Sequence, residues 1–122
     1  MKTEWHPITD FYTFTRDYKC QHRKDPPRSW IKLSCVYKIK INDKIVHIGR
    51  SDTCKKHGPA EKVRKAIVQL LGTEQYNPSV KSTRLWTKIR LQHRPNSSNI
   101  KIGVIETNNV NRVYTEESQR TN

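Results

Sequence analysis

Two short stretches of the chain carry residue types that could act on a phosphate ester. Cys35-Val36-Tyr37 and His47-Ile48-Gly49-Arg50-Ser51 are separated by nine residues, 38–46. That distance suits two neighbouring strands of a hairpin, and strand alternation puts residues 37, 39 and 41 on one side, with 47 and 49 together on theirs. Tyr37 and His47 are therefore expected to meet across the hairpin, each with a polar tip able to hold a water molecule. Gly49, lacking a Cβ, would let a phosphate backbone approach the sheet closely. Hydrolysis of a phosphodiester needs an attacking water, a base to deprotonate it, and positive charge for the oxygens of the pentavalent state. Tyrosine with its ordinary pKa of about 10 is a poor base at neutral pH, so cations and a metal would have to favour its ionised form. His47 is the partner or the substitute base, since imidazole titrates near neutrality. Arg50, Lys55, Lys56, Arg64 and Lys65 follow closely enough to supply positive charge.

A second constellation competes for attention. Cys20-x-His22 and Cys54-x-x-His57 hold four residues with the right chemistry for tetrahedral zinc. Cys-x-His is tighter than most finger spacings, and more than thirty residues separate the halves. The alternative is two ordinary thiols and two histidines in basic loops. Three cysteines cannot complete a disulfide framework, and the N-terminus has no apolar signal region, so the expected setting is intracellular and cytoplasmic. No run of apolar residues is long enough for a membrane span.

The elements that must position these residues follow from periodicity. Leu33, Cys35, Tyr37, Ile39 and Ile41 alternate with other side chains, Asn42-Asp43-Lys44 supplies turn chemistry, and 45–49 is a second β-prone run. Val63, Ala66, Ile67, Leu70 and Leu71 form an apolar stripe, with Gly72 as terminator, predicting an amphipathic helix over 59–71. A second helix is predicted over 83–92 with Leu85, Trp86 and Ile89 on one side; Arg84 and Lys88 lie off it and extend the cationic surface. Ile100, Ile102 and Val104 alternate as a third strand, and 109–119 can form a last helix with Val110, Val113 and Tyr114 inward. The expected fold is α+β: a small three-stranded sheet with helices packed on it, in the order β-β-α-α-β-α. Residues 33–122 form this domain. Residues 1–32 read as an N-terminal extension wrapping it, with one short helix near Thr9–Tyr18 and aromatics that complete a thin core.

The charge says what such a domain meets. Its 122 residues carry 24 Lys+Arg against 11 Asp+Glu, a formal charge of +13, with mean hydropathy −0.93. An excess of that size on a small domain costs self-repulsion, and a polyanion is its usual target. Segments 35–72 (nine cations, three carboxylates) and 73–105 (six and one) hold most of it. Segment 106–122 is reversed, with two cations against Glu106, Glu116 and Glu117. Carboxylates beside a phosphate-binding surface are repelled by the ligand unless a metal ion lies between them; the alternative is a solvated acidic tail.

The paired stretches, tyrosine closing the first and His-Ile-Gly in the second, resemble the motif of the GIY-YIG nucleases, most closely the short-spaced endonuclease II-like phage members with an Asn-Asp turn. The likeness covers about Leu33–Glu117. Cys35 replaces the motif's first glycine and His47 its second tyrosine. The resemblance implies a metal-dependent DNA endonuclease in which Tyr37 is base or water-positioner, His47 its partner, and Arg64 of the following helix stabilises the phosphorane. A glutamate of the helix after the third strand, Glu117 or its neighbour Glu116, would hold one Mg²⁺ or Mn²⁺, with Glu106 a further candidate. Gly49, Arg50, Lys55, Lys56, Lys65, Arg84 and Lys88 would face double-stranded DNA, two copies pairing where both strands are cut. The alternative is the same fold without catalysis, a nucleic-acid-binding module. A basic RNA-packaging protein explains the charge but not the hairpin motif.

Overall fold

The computed structural model describes residues 2–15, 19–27, 30–52, 58–74 and 76–121. Its strands are β1 (Glu4–Pro7), β2 (Tyr12–Phe14), β3 (Cys20–His22), β4 (Cys35–Ile41), β5 (Lys44–Ser51) and β6 (Ile100–Glu106). The helices are α1 (Ala60–Leu71), α2 (Lys81–His93) and α3 (Val110–Thr121). Single 3₁₀ turns at Ile8–Asp10 and Trp30–Lys32 complete the described elements.

The β4–β5 hairpin forms where alternation and turn chemistry placed it. Asn42 and Asp43 both adopt positive φ, 50° and 65°, as a tight two-residue hairpin turn requires and as these two residue types tolerate. The register runs Tyr37 opposite Gly49 and Ile39 opposite His47, then slips so that Lys40 faces Ile45. The extra residue is Val46. The bulge lets Val46 pack against the core while the neighbouring His47 also reaches the Tyr37 side.

The sheet has four strands, not three, in the order β1-β6-β4-β5 with every pair antiparallel. The fourth comes from the segment read as an extension: β1 pairs Glu4 with Val104 and Pro7 with Lys101. Tyr12–Phe14 and Cys20–His22 form a second, two-stranded sheet where a short helix was expected. Ile8, Phe11, Tyr12, Cys20 and Trp30 are buried in the main core, so these aromatics do complete it. The Phe11 and Trp30 ring centroids lie 4.3 Å apart, and the Tyr12 hydroxyl donates to the Ala60 carbonyl at 3.2 Å. A chain with only 33% hydrophobic residues needs this segment to cover its first helix.

The two faces of the sheet are covered differently. Tyr37, Ile39, Ile41, Ile100 and Ile102 face α1 (Val63, Ala66, Ile67, Leu70) and α2 (Trp86, Ile89). Val36 and Ile105, which alternate with them, face Val113 of α3 in a separate cluster that also takes in Ile48 and Tyr114. Helix α1 ends at Gly72, φ 72°, whose N–H returns to the Gln69 and Val68 carbonyls. On α2, Trp86 and Ile89 turn inward with Thr83, whereas Leu85 is 44% exposed, leaving the apolar side one residue narrower than its sequence suggests.

Candidate nucleic-acid interface

Tyr37 and His47 share a face, as the hairpin predicts. Their ring centroids are 6.1 Å apart, and the His47 ring stands edge-on to Trp86 of α2 at 4.9 Å. They floor an open cleft of about 470 Å³ between α1 and the loop leading into α2. Trp86 and Tyr76 form aromatic walls, Val80 and Leu85 add apolar surface, and Lys62 and Lys65 of α1 stand at the rim. No carboxylate borders this cleft among the described residues.

Burial sets the protonation of both floor residues. The Tyr37 phenol is 5% exposed, and burial, reinforced by Cys35 and Tyr114, pushes its pKa up to about 12. At neutral pH, with nothing bound in the cleft, it keeps its proton and is a hydroxyl donor. Burial also lowers the His47 pKa below its ordinary 6.5, so the ring is neutral at pH 7. Neither group hydrogen-bonds within the described residues. Because the folded state resists protonating His47, the unfolded chain binds more protons below pH 6.5. This contribution to stability is therefore complete above that value and is lost as pH falls through it towards the lowered folded pKa. Urea midpoints at pH 7.5 and 5.5 should fall further for the wild type than for His47→Gln; equal drops would remove His47 from the acid sensitivity.

Gly49 has a different task from the one its sequence context suggested. The Tyr37 ring lies across it, and a Cβ on Gly49 would overlap Cζ and Oη of that ring. The space beside Gly49 is filled by tyrosine, so no phosphate approaches there.

The remaining nuclease-type residues do not converge on the cleft. Arg64 pairs with Glu74 (Nη2 to Oε1, 2.8 Å) and donates from Nε to the Cys20 carbonyl at 2.9 Å. The other Glu74 oxygen accepts from the Tyr76 hydroxyl at 2.8 Å. Arg64 thus holds the Tyr76 wall rather than offering its guanidinium to a phosphate. Glu117 lies across the sheet: Lys38, which alternates with Tyr37 on β4, donates to Glu117 Oε2 at 2.7 Å and to Thr3 Oγ1 at 3.0 Å. The paired side chains are 7% and 6% exposed. Glu116 points outward to Arg112 at 3.2 Å, and Glu106 ends β6 opposite Cys35. A Mg²⁺ or Mn²⁺ ion bound by one carboxylate needs open positions for water and phosphate oxygens. Glu117, sealed against an ammonium group, does not fit it. No cluster of three or more His, Cys, Asp or Glu side chains suited to a metal occurs among the described residues.

Of the expected DNA-facing cations, Lys65 stands at the cleft, while Arg84 and Lys88 lie exposed along α2, Arg84 donating to the Ser79 carbonyl at 2.7 Å. Arg50 sits on the α3 side, 4.5 Å over the Tyr114 ring. Lys55 and Lys56 lie outside the described residues, as do Cys54 and His57 of the zinc alternative. Cys20 is buried, which pushes its thiol pKa up to about 11, and burial takes Cys35 to about 12. Both are protonated and unreactive.

Lys62, Gln69, Tyr76 and Trp86 were not singled out from sequence for this site. Lys62, Lys65 and Gln69 are spaced i, i+3, i+7 on α1, a signal that one helix face carries them all. Tyr76 lies in an irregular loop with no such pattern. Compared with family models, curated proteins and solved structures, the chain matches none.

Proposed function

We propose that the chain is a nucleic-acid-binding domain with the hairpin of a GIY-YIG nuclease but without its catalytic assembly. One observation carries this reading: Tyr37 and His47 open on a cleft edged by Lys62 and Lys65, with no carboxylate among the described residues that line it, while Glu117 is ion-paired on the opposite face of the sheet. Lysines at the rim and cations along α2 favour the phosphate backbone. A neutral imidazole and a protonated phenol offer hydrogen bonds to a ligand, and no carboxylate among the described residues lining the cleft stands ready to hold a metal ion beside them. Phosphodiester cleavage is the second reading, favoured by the shared face of Tyr37, Gly49 and His47. There His47, neutral at pH 7, would take the proton of the attacking water.

One pair of measurements separates the readings. The affinity for DNA should fall about 40-fold between 50 and 200 mM salt for three phosphate contacts, because bound phosphates release counterions. Supercoiled plasmid incubated with the protein, with and without Mg²⁺, should stay intact. Nicking that is lost in both Tyr37→Phe and His47→Gln would establish the nuclease reading instead, and a salt-independent affinity would remove both.

A further inference from the structure

We infer that the Tyr37–His47 cleft holds one unpaired nucleotide of the bound strand, with its base inside and its phosphate at Lys62 and Lys65. This rests on the nucleic-acid reading and specifies what that site takes. The volume, about 470 Å³, lies within the range of pockets that enclose small molecules. A continuous duplex keeps its bases stacked inside and could offer such a cleft only its backbone edge.

The lining distinguishes a base from a bare phosphate. A phosphate presents only acceptors, and the rim lysines suffice for it. The floor offers mixed hydrogen-bonding capacity: the Tyr37 hydroxyl as donor, and the neutral His47 ring as donor at one nitrogen and acceptor at the other. Gln69 adds an acceptor. Its Nε2 donates to the Lys65 carbonyl at 3.1 Å, and its Oε1 is buried without a hydrogen-bond partner. Turned toward the cleft that its side chain lines, this acceptor would be satisfied by a donor, which a base edge has and a phosphate diester lacks. Tyr76, half-buried and braced by Glu74 and Arg64, supplies a ring for the flat face of a base, beside the edge of Trp86 that reaches the cleft. Stacking on such rings tolerates any base because each has a π-face, so the cleft selects for unpairedness more than for sequence.

The test compares three DNA ligands by fluorescence anisotropy at low salt: a continuous duplex, the same duplex with one bulged nucleotide, and the bulged duplex with an abasic residue at the bulge. The intact bulge should bind at least about tenfold tighter than the other two. Tyr76→Ala combined with Gln69→Leu should abolish that preference, bringing the affinity for the bulged duplex down to that for the continuous one. Trp86 emission should be quenched by the bulged ligand and not by its abasic form. Equal affinity for all three ligands, or a preference that survives the double substitution, would overturn this inference and leave nucleic-acid binding standing. Absence of binding to any ligand would remove both.

Discussion

Replacing Glu117 with alanine should destabilise the fold by about 3–5 kcal/mol, because it strands the Lys38 ammonium in a site nearly closed to water. Lys38 is 5% and Glu117 4% exposed, and their 2.7 Å contact joins the centre of β4 to α3. Domains of this size are stable by only about 5–15 kcal/mol, so the loss takes a large share. Urea denaturation should show a midpoint far below that of the wild type with an unchanged slope, and the melting temperature should fall by more than about 10 °C. Glu117→Gln should follow the same direction, since an amide keeps the shape and a hydrogen bond but not the charge. The double variant Lys38→Met, Glu117→Leu should recover most of the stability, because an apolar pair of similar volume has no desolvation penalty to offset. A metal-ligand role for Glu117 predicts the reverse: Glu117→Gln as stable as the wild type, and the double variant no better than either single. Stability, read without any nuclease assay, thus separates a structural carboxylate from a catalytic one.

Glu117 also illustrates what could have been read without the structure. Val110, Val113, Tyr114 and Glu117 fall at i, i+3, i+4 and i+7, so the apolar stripe of α3 already carries Glu117 inward while Glu116 lies off it. What the stripe could not reveal is which face of the sheet it covers. That depends on the crossing from β6 to α3, and the answer puts Glu117 against Lys38 instead of Tyr37. The same division holds elsewhere. The β4–β5 hairpin and α1 were legible because their signals are local: alternation, an Asn-Asp turn at positive φ, a 3.6-residue stripe with a terminal glycine. Strand β1 was not, because four residues with no apolar alternation become a strand only by pairing with β6, nearly a hundred residues away. Tyr37 and His47 were placed together by register alone. Their walls, Trp86 and Tyr76, come from the docking of α2 on α1 and from the Arg64–Glu74–Tyr76 contacts, which no short window of sequence contains. The apparent catalytic arginine was lost for the same reason: its partner Glu74 lies ten residues on, beyond the end of its helix.

Gly49→Ala should destabilise the protein by about 1–3 kcal/mol, the usual cost of forcing extra volume into a packed site. The backbone at Gly49 lies outside the left-handed region, and alanine loses less conformational freedom than glycine on entering a strand. On backbone grounds alone the substitution should therefore be neutral or slightly favourable. The loss is steric, since the new methyl would occupy the place of the Tyr37 ring. That ring cannot move freely, being buried in the core over Gly49 and packed beside His47. A double-mutant cycle isolates the contact. Tyr37→Ala alone is costly because it empties the ring's site, but in its background Gly49→Ala should cost almost nothing. The interaction free energy, from four urea denaturation curves, should exceed about 1 kcal/mol. Had glycine been needed for the close approach of a phosphate, Gly49→Ala would leave stability unchanged and weaken DNA binding, and the cycle would be additive. The first outcome makes Gly49 the seat of Tyr37 and explains why the pair belongs together in one hairpin: the glycine leaves the space above β5 in which the end of the Tyr37 ring and its hydroxyl lie, beside His47.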